Sequence, residues 1–291
     1  MSEKIISTVA KESDGTIQIT LTIPYSEIQT AEEVVLKEVA NEATLPGFRK
    51  GKAPLSKVKE GLSKETLIKK VLGKILGKAI ADAMLENKIK AAIYPRIEVL
   101  KAQDNEAWEV RATTCEMPKV DLGNYKEVFK GLAKSKTIWT PGKDKKETAK
   151  QPPREEKEQM VIKTLLETIK PEIPKILVQE EVEDRLAQLL DRIDKLGLTL
   201  EGYLGSLGKN IETLRAEYEL QAKNTIILEL ILEEIANQEK TVVKDKQIDD
   251  VIEAAKADPT MKDRLNSPEQ RRIIASVLRR RASLDSLVAL L

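Results

Sequence analysis

Six consecutive residues, Gly47-Phe48-Arg49-Lys50-Gly51-Lys52, hold the densest chemistry in this chain. Three cations and one aromatic ring share a stretch that two glycines allow to turn tightly, and Pro46 and Pro54 restrict its ends. Arg and Lys at such a tip can meet phosphate oxygens or an acidic protein surface. Phe48, one of only 2 Phe in 291 residues, can enter an apolar patch on a partner. The pair of functions suits a mixed protein and nucleic-acid surface. The alternative is a solvated charged turn with Phe48 tucked into its own domain. Local charge also points outward. From Gly47 to Lys90 there are 12 Lys and Arg against 4 Asp and Glu, a net of +8 in a chain whose total is +1.

Other chemistries are excluded by composition. With 0 His, a Ser-His-Asp or Cys-His nucleophilic site cannot be built, nor any metal site that uses histidine. The single cysteine, Cys115, gives no internal disulfide and no cysteine cluster, which suits a reducing compartment. No cofactor and no metal are expected. Gly51-Lys52 and Gly77-Lys78 invite a phosphate-loop reading, but neither glycine spacing fits, and alanine follows each lysine. Gly73-x-x-x-Gly77 would admit a close helix neighbour, or simply reflect local packing; Lys70, Lys74 and Lys78 rule out its membrane form. The acidic N-terminal stretch does not read as a signal peptide, and no uncharged apolar run spans a bilayer, so no membrane partner is expected.

The elements that would position the basic loop follow from periodicity. Ile17, Ile19, Leu21 and Ile23 alternate with polar residues and read as a half-buried strand, with "IISTVAK" as its partner across the turn "ESDG". A helix is expected over "SEIQTAEEVVLKEVANEA" before the loop, and another from Ser63 to about Ala92 after it. Two further strands, "RIEVLKA" and "AWEVRATTCE", complete a small α+β module whose antiparallel sheet is covered on one face, ending near residue 130. Residues 131–156 are charged, proline-containing and poor in apolar side chains, and read as a linker in which Trp139 is the one aromatic residue. Residues 157–291 read as all helix. Stripes run along 175–196, which Gly197 stops, and along 210–238 from the N-cap Asn210; a last helix starts at the capping box Ser267-Pro268-Glu269-Gln270.

"GFRKGKAP", residues 47–54, resembles the ribosome-docking signature of the trigger factor family of bacterial chaperones. The resemblance continues through the preceding strand and helix, through "VLGKILGKAIADAMLENKIKAAIYPRIEV", and through "ETIKPEIPKILVQEEVEDRLAQLLDRIDKLGLTLEGYL", which is similar to the first arm of that family's helical domain. It implies that Gly47, Phe48, Arg49, Lys50, Gly51 and Lys52 bind the ribosome, touching a protein and rRNA beside the exit tunnel. It further implies a cytoplasmic, ATP-independent chaperone whose partners are the ribosome and nascent or unfolded chains; self-association is left open. The domain reading becomes 1–130 ribosome-binding, 131–156 linker, and 157–291 client-binding with arms. One departure is large. Where most family members carry a peptidyl-prolyl isomerase domain of about a hundred residues, this chain has the short polar segment, so no isomerase activity is expected. The competing reading is a structural or RNA-associated helical protein that uses the loop without holding clients.

Overall fold

The computed structural model describes residues 4–42, 48, 54–135, 153–255 and 265–291. The chain divides into two compact units: Met1–Met117 with Pro174–Leu177, and Pro118–Ile173 with Val178–Leu291.

The first unit is built on four antiparallel strands, β1 (Ile6–Lys11), β2 (Thr16–Ile23), β3 (Arg96–Lys101) and β4 (Trp108–Cys115), in the order β1-β2-β4-β3. The alternation in β2 has the expected consequence. Ile17, Ile19, Leu21 and Ile23 are buried, joined by Trp108, Val110 and Ala112 of β4. Two helices supply the other layer: α1 (Tyr25–Glu42), through Ile28 and Val35, and α3 (Lys64–Glu86), through Val71, Leu72, Leu76 and Ile80. Between them lies a short helix that periodicity does not reveal, α2 (Leu55–Glu60).

Helix α3 starts where its cap requires, with the Ser63 hydroxyl accepting a hydrogen bond from the Thr66 amide at 3.2 Å. It ends several residues before Ala92. Lys88 takes a left-handed φ of 54°, and the Ile89 amide donates back to the Met84 carbonyl at 2.9 Å. That Schellman arrangement turns Ile89 into the core instead of extending the helix. Gly73 and Gly77 lie on the exposed face of α3, and among the described residues a β-carbon built on either would meet nothing within 4 Å. Among the described residues neither a close helix neighbour nor local packing accounts for them.

Cys115 is fully buried at the end of β4, and burial pushes its thiol up to about 11 from an ordinary 9.0. Two consequences are expected. Ellman's reagent should find no reactive thiol in the native protein and one after unfolding. Because the unfolded thiol ionises near 9.0 and the folded one near 11, stability should fall as pH rises above about 9. Reaction of the native thiol at neutral pH would contradict this placement.

The second unit is helical: α4 (Tyr125–Ser135), α5 (Arg154–Thr168), α6 (Lys175–Lys195), α7 (Leu200–Ser206), α8 (Ile211–Gln238), α9 (Asp245–Ala254) and α10 (Pro268–Ala289). The first three residues of α6 fall with the sheet unit. The turn after α6 uses Gly197 at φ 68°, the left-handed position that glycine takes without strain. Asn210 caps α8 by accepting from the Thr213 amide at 2.7 Å, and Ser267 caps α10 by accepting from the Gln270 amide at 3.3 Å. The main core joins Val161 and Leu165 of α5, Ile231 and Ile235 of α8, and Leu284 and Leu287 of α10 to Leu122, Tyr125 and Phe129. Helix α4 therefore belongs to the helical unit. The division falls after Met117, ahead of the sequence-based boundary near 130, because these three side chains bury among helices and not under the sheet. The expected linker overlaps the end of α4 and the start of α5; its remainder, 136–152 with Trp139, lies outside the described residues.

Candidate functional site

The basic loop springs from a fixed base. Leu36 and Ala40 of α1 and Val58 of α2 form a small buried cluster, with Leu55, Leu62 and Leu67 packed against it. Two ion pairs tie the same elements together. Lys59 of α2 meets Glu32 of α1, a hydrogen bond that holds the lysine above its ordinary range. Lys74 of α3 reaches Glu38 of α1 at 2.8 Å. The chain leaves α1 at Glu42 and re-enters helix at Leu55, with Pro54 in an extended conformation at the N-cap. Both ends of the loop are thus anchored in packed helices, whatever its tip meets.

Of the six residues singled out from the sequence, Phe48 is described. It sits at a bend, is 40% exposed, and belongs to none of the buried clusters. Gly47, Arg49, Lys50, Gly51 and Lys52 lie outside the described residues.

A second candidate surface lies on the helical unit. Around the α6–α7 turn, Leu190, Leu196, Leu198 and Leu207 are exposed, Leu196 at 68%. A surface cavity of about 370 Å³ is lined there by Leu190, Ile193, Leu198 and Leu200 together with Asp191 and Asp194. Beneath it, Leu189, Ile193, Leu204 and Leu214 form a separate small core that fixes the turn. On α10, Ile273 and Val277, one turn apart, are exposed as well. Sequence periodicity identifies the stripes on α6 but does not say which leucines remain uncovered. Among the described residues no group of carboxylates, cysteine or histidine is arranged to hold a metal ion.

Residues 6–137 match the family described as bacterial trigger factor protein (TF), and residues 142–289 match its C-terminus. The chain belongs to the trigger factor family. The trigger factor of Streptococcus mutans serotype c is 29% identical over 128 residues, 44% of this chain and 30% of that protein. That of Corynebacterium glutamicum (strain R) is 31% identical over 122 residues, 42% of this chain and 27% of that protein. These alignments thus span less than a third of either relative's length. A solved trigger factor chaperone, studied for promiscuous substrate recognition in folding and assembly activities, shares the fold. Its TM-score is 0.60 at 13% identity, over 98% of this chain and 99% of that chain. The two trigger factor family matches leave only residues 138–141 between them.

Proposed function

We propose that this chain is an ATP-independent chaperone that docks at the ribosomal exit tunnel and holds nascent or unfolded chains in the cytoplasm. The observation that carries the docking half is Phe48, which is exposed on an anchored loop in a chain that matches trigger factor. The ring offers apolar surface that only a partner can cover, and Gly47, Arg49, Lys50, Gly51 and Lys52 supply turn and charge for rRNA or an acidic protein. The holding half rests on the exposed leucines around the α6–α7 turn and on Ile273 and Val277 of α10, where unfolded apolar segments can be buried at roughly 25 cal/mol per Å². Weak local contacts suffice when holder and client share one ribosome, because tethering raises effective concentration. In this reading the sheet unit that ends at Met117 binds the ribosome, the helical unit holds clients, and 131–156 stands where relatives carry the isomerase domain. The four residues between the two family matches support that account of the missing domain.

The protein is expected to suppress aggregation of an unfolded client without ATP and to leave prolyl isomerisation of a test peptide at its uncatalysed rate. A complete family member serves as positive control. Clear catalysis by the purified chain would overturn the non-enzyme reading. Failure to hold any client, with RNA binding that falls steeply with salt, would favour the RNA-only alternative.

A further inference from the structure

The inner face of the sheet is covered unevenly. Register sets Ile97 of β3 opposite Ala112 and Val99 opposite Val110, so both side chains share the face that α1 and α3 bury. Their β4 partners are each 0% exposed, yet Ile97 is 52% and Val99 44% exposed. The helical layer stops short of β3. The strand also pairs with β4 alone, so its outer backbone edge has no strand against it among the described residues. A register shift between Val99 and Lys101 leaves Leu100, itself exposed, without an opposite residue.

We infer that the outer edge of β3 is a strand-addition site for an extended, uncharged apolar segment of an unfolded polypeptide. This rests on the reading that the chain holds clients, and it adds a capture site on the sheet unit. Three features select that occupant. An open sheet edge offers amides and carbonyls that only another extended backbone can satisfy, so a helix is a poor fit. Ile97 and Val99 alternate, which matches the side-chain period of a strand and gives the added segment an apolar neighbour at every second position. The nearby charges are already engaged, Glu98 with Arg111 at 3.7 Å and Lys101 with Glu106 at 2.6 Å, which disfavours a polyanion. A second copy is disfavoured too. Antiparallel pairing with Ile97 opposite Val99 would set Glu98 directly against Glu98. The bulge, Pro95 and the charged positions keep the open run short, which suits a weak, reversible contact and limits edge-to-edge aggregation.

The test uses the full chain and a short fluorescein-labelled peptide of alternating Val and Thr, measured by anisotropy. The double variant Ile97→Lys, Val99→Lys is expected to weaken binding at least tenfold. A peptide N-methylated at alternate amides, which keeps its side chains but loses main-chain donors, should weaken by a similar factor on the unaltered protein. Saturating unmodified peptide should slow amide exchange within 96–101. Equal affinity for the methylated peptide, or unchanged exchange in β3, would overturn the proposal even if the double variant failed to fold. If protein and double variant suppress client aggregation equally and β3 exchange does not respond, this site falls and the holding reading stands. If the unaltered protein holds no client at all, both fall.

Discussion

The combined change Phe48→Ala, Arg49→Ala, Lys50→Ala is expected to reduce ribosome cosedimentation at least tenfold and to shift the melting temperature by less than about 2 °C. Neither half of that expectation depends on the other. The stability half follows from where the loop is anchored. Leu36, Ala40 and Val58 bury the base, and Lys59 and Lys74 clamp it to α1. Phe48 is 40% exposed, so truncating it opens no core cavity. The affinity half follows from what the loop offers a partner. Removing two cations that meet phosphate should also flatten the dependence of log affinity on log salt, by about one for each phosphate left without its cation. Removing the ring costs affinity that salt does not change. Cosedimentation at two salt concentrations separates the two contributions. Unchanged binding would remove the docking role. A large loss of melting temperature would place Phe48 in the core. Holding of free clients should survive, since the surfaces assigned to it, on the helical unit and at the β3 edge, do not include the loop.

Much of the sheet unit is legible in the sequence because its signals are local. Strand β2 announces itself by strict alternation, α3 by its aliphatic stripe and Ser63, and α10 by a capping box. What stays hidden depends on residues distant in sequence. Six residues of α2 are too few for a periodic signal, and its Val58 is recognisable as core only once α1 lies against it. The end of α3 at Glu86 is set by a backbone turn at Lys88, a residue with no propensity for that conformation. Exposure on β3 is not readable either, because Ile97 and Val99 look like any buried strand residues until the helices are seen to stop short of them. At the candidate site the outcome turns on neighbours. Phe48 sits between glycine and arginine, with nothing apolar adjacent in sequence, and the ring is displayed. The only other phenylalanine, Phe129, follows the apolar Val128 and precedes Lys130 at the edge of the polar stretch, and it is among the most buried side chains of the molecule.

Phe129→Ala is expected to be the most damaging single truncation in the chain. Its ring is 1% exposed and packs with Tyr125 and Leu122 in the cluster formed by Val161, Leu165, Ile231, Ile235 and Leu287. Removing a buried Phe costs about 3–5 kcal/mol, the lost burial plus the cavity that close-packed neighbours cannot fill. That is a large part of the stability of an ordinary domain, and it corresponds to a fall of roughly 10 °C in melting temperature. The ion pairs that join the same helices cannot compensate. Arg280 with Glu229 at 2.7 Å and Arg281 with Glu158 at 2.6 Å are partly solvated, and such pairs contribute about 1 kcal/mol or less each. The location of the damage is as informative as its size. Helix α4 is covalently continuous with the sheet unit but shares its core with α5, α8 and α10, so destabilisation should pass into those helices and not into β2 or β4. Hydrogen exchange read segment by segment checks this. Protection should fall within 154–168 and 211–238 and persist within 16–23 and 108–115. Client holding should weaken near the lowered melting temperature while ribosome docking persists, because the loop base is untouched. If protection instead falls first in the strands, the boundary belongs near residue 130, where the sequence alone would place it.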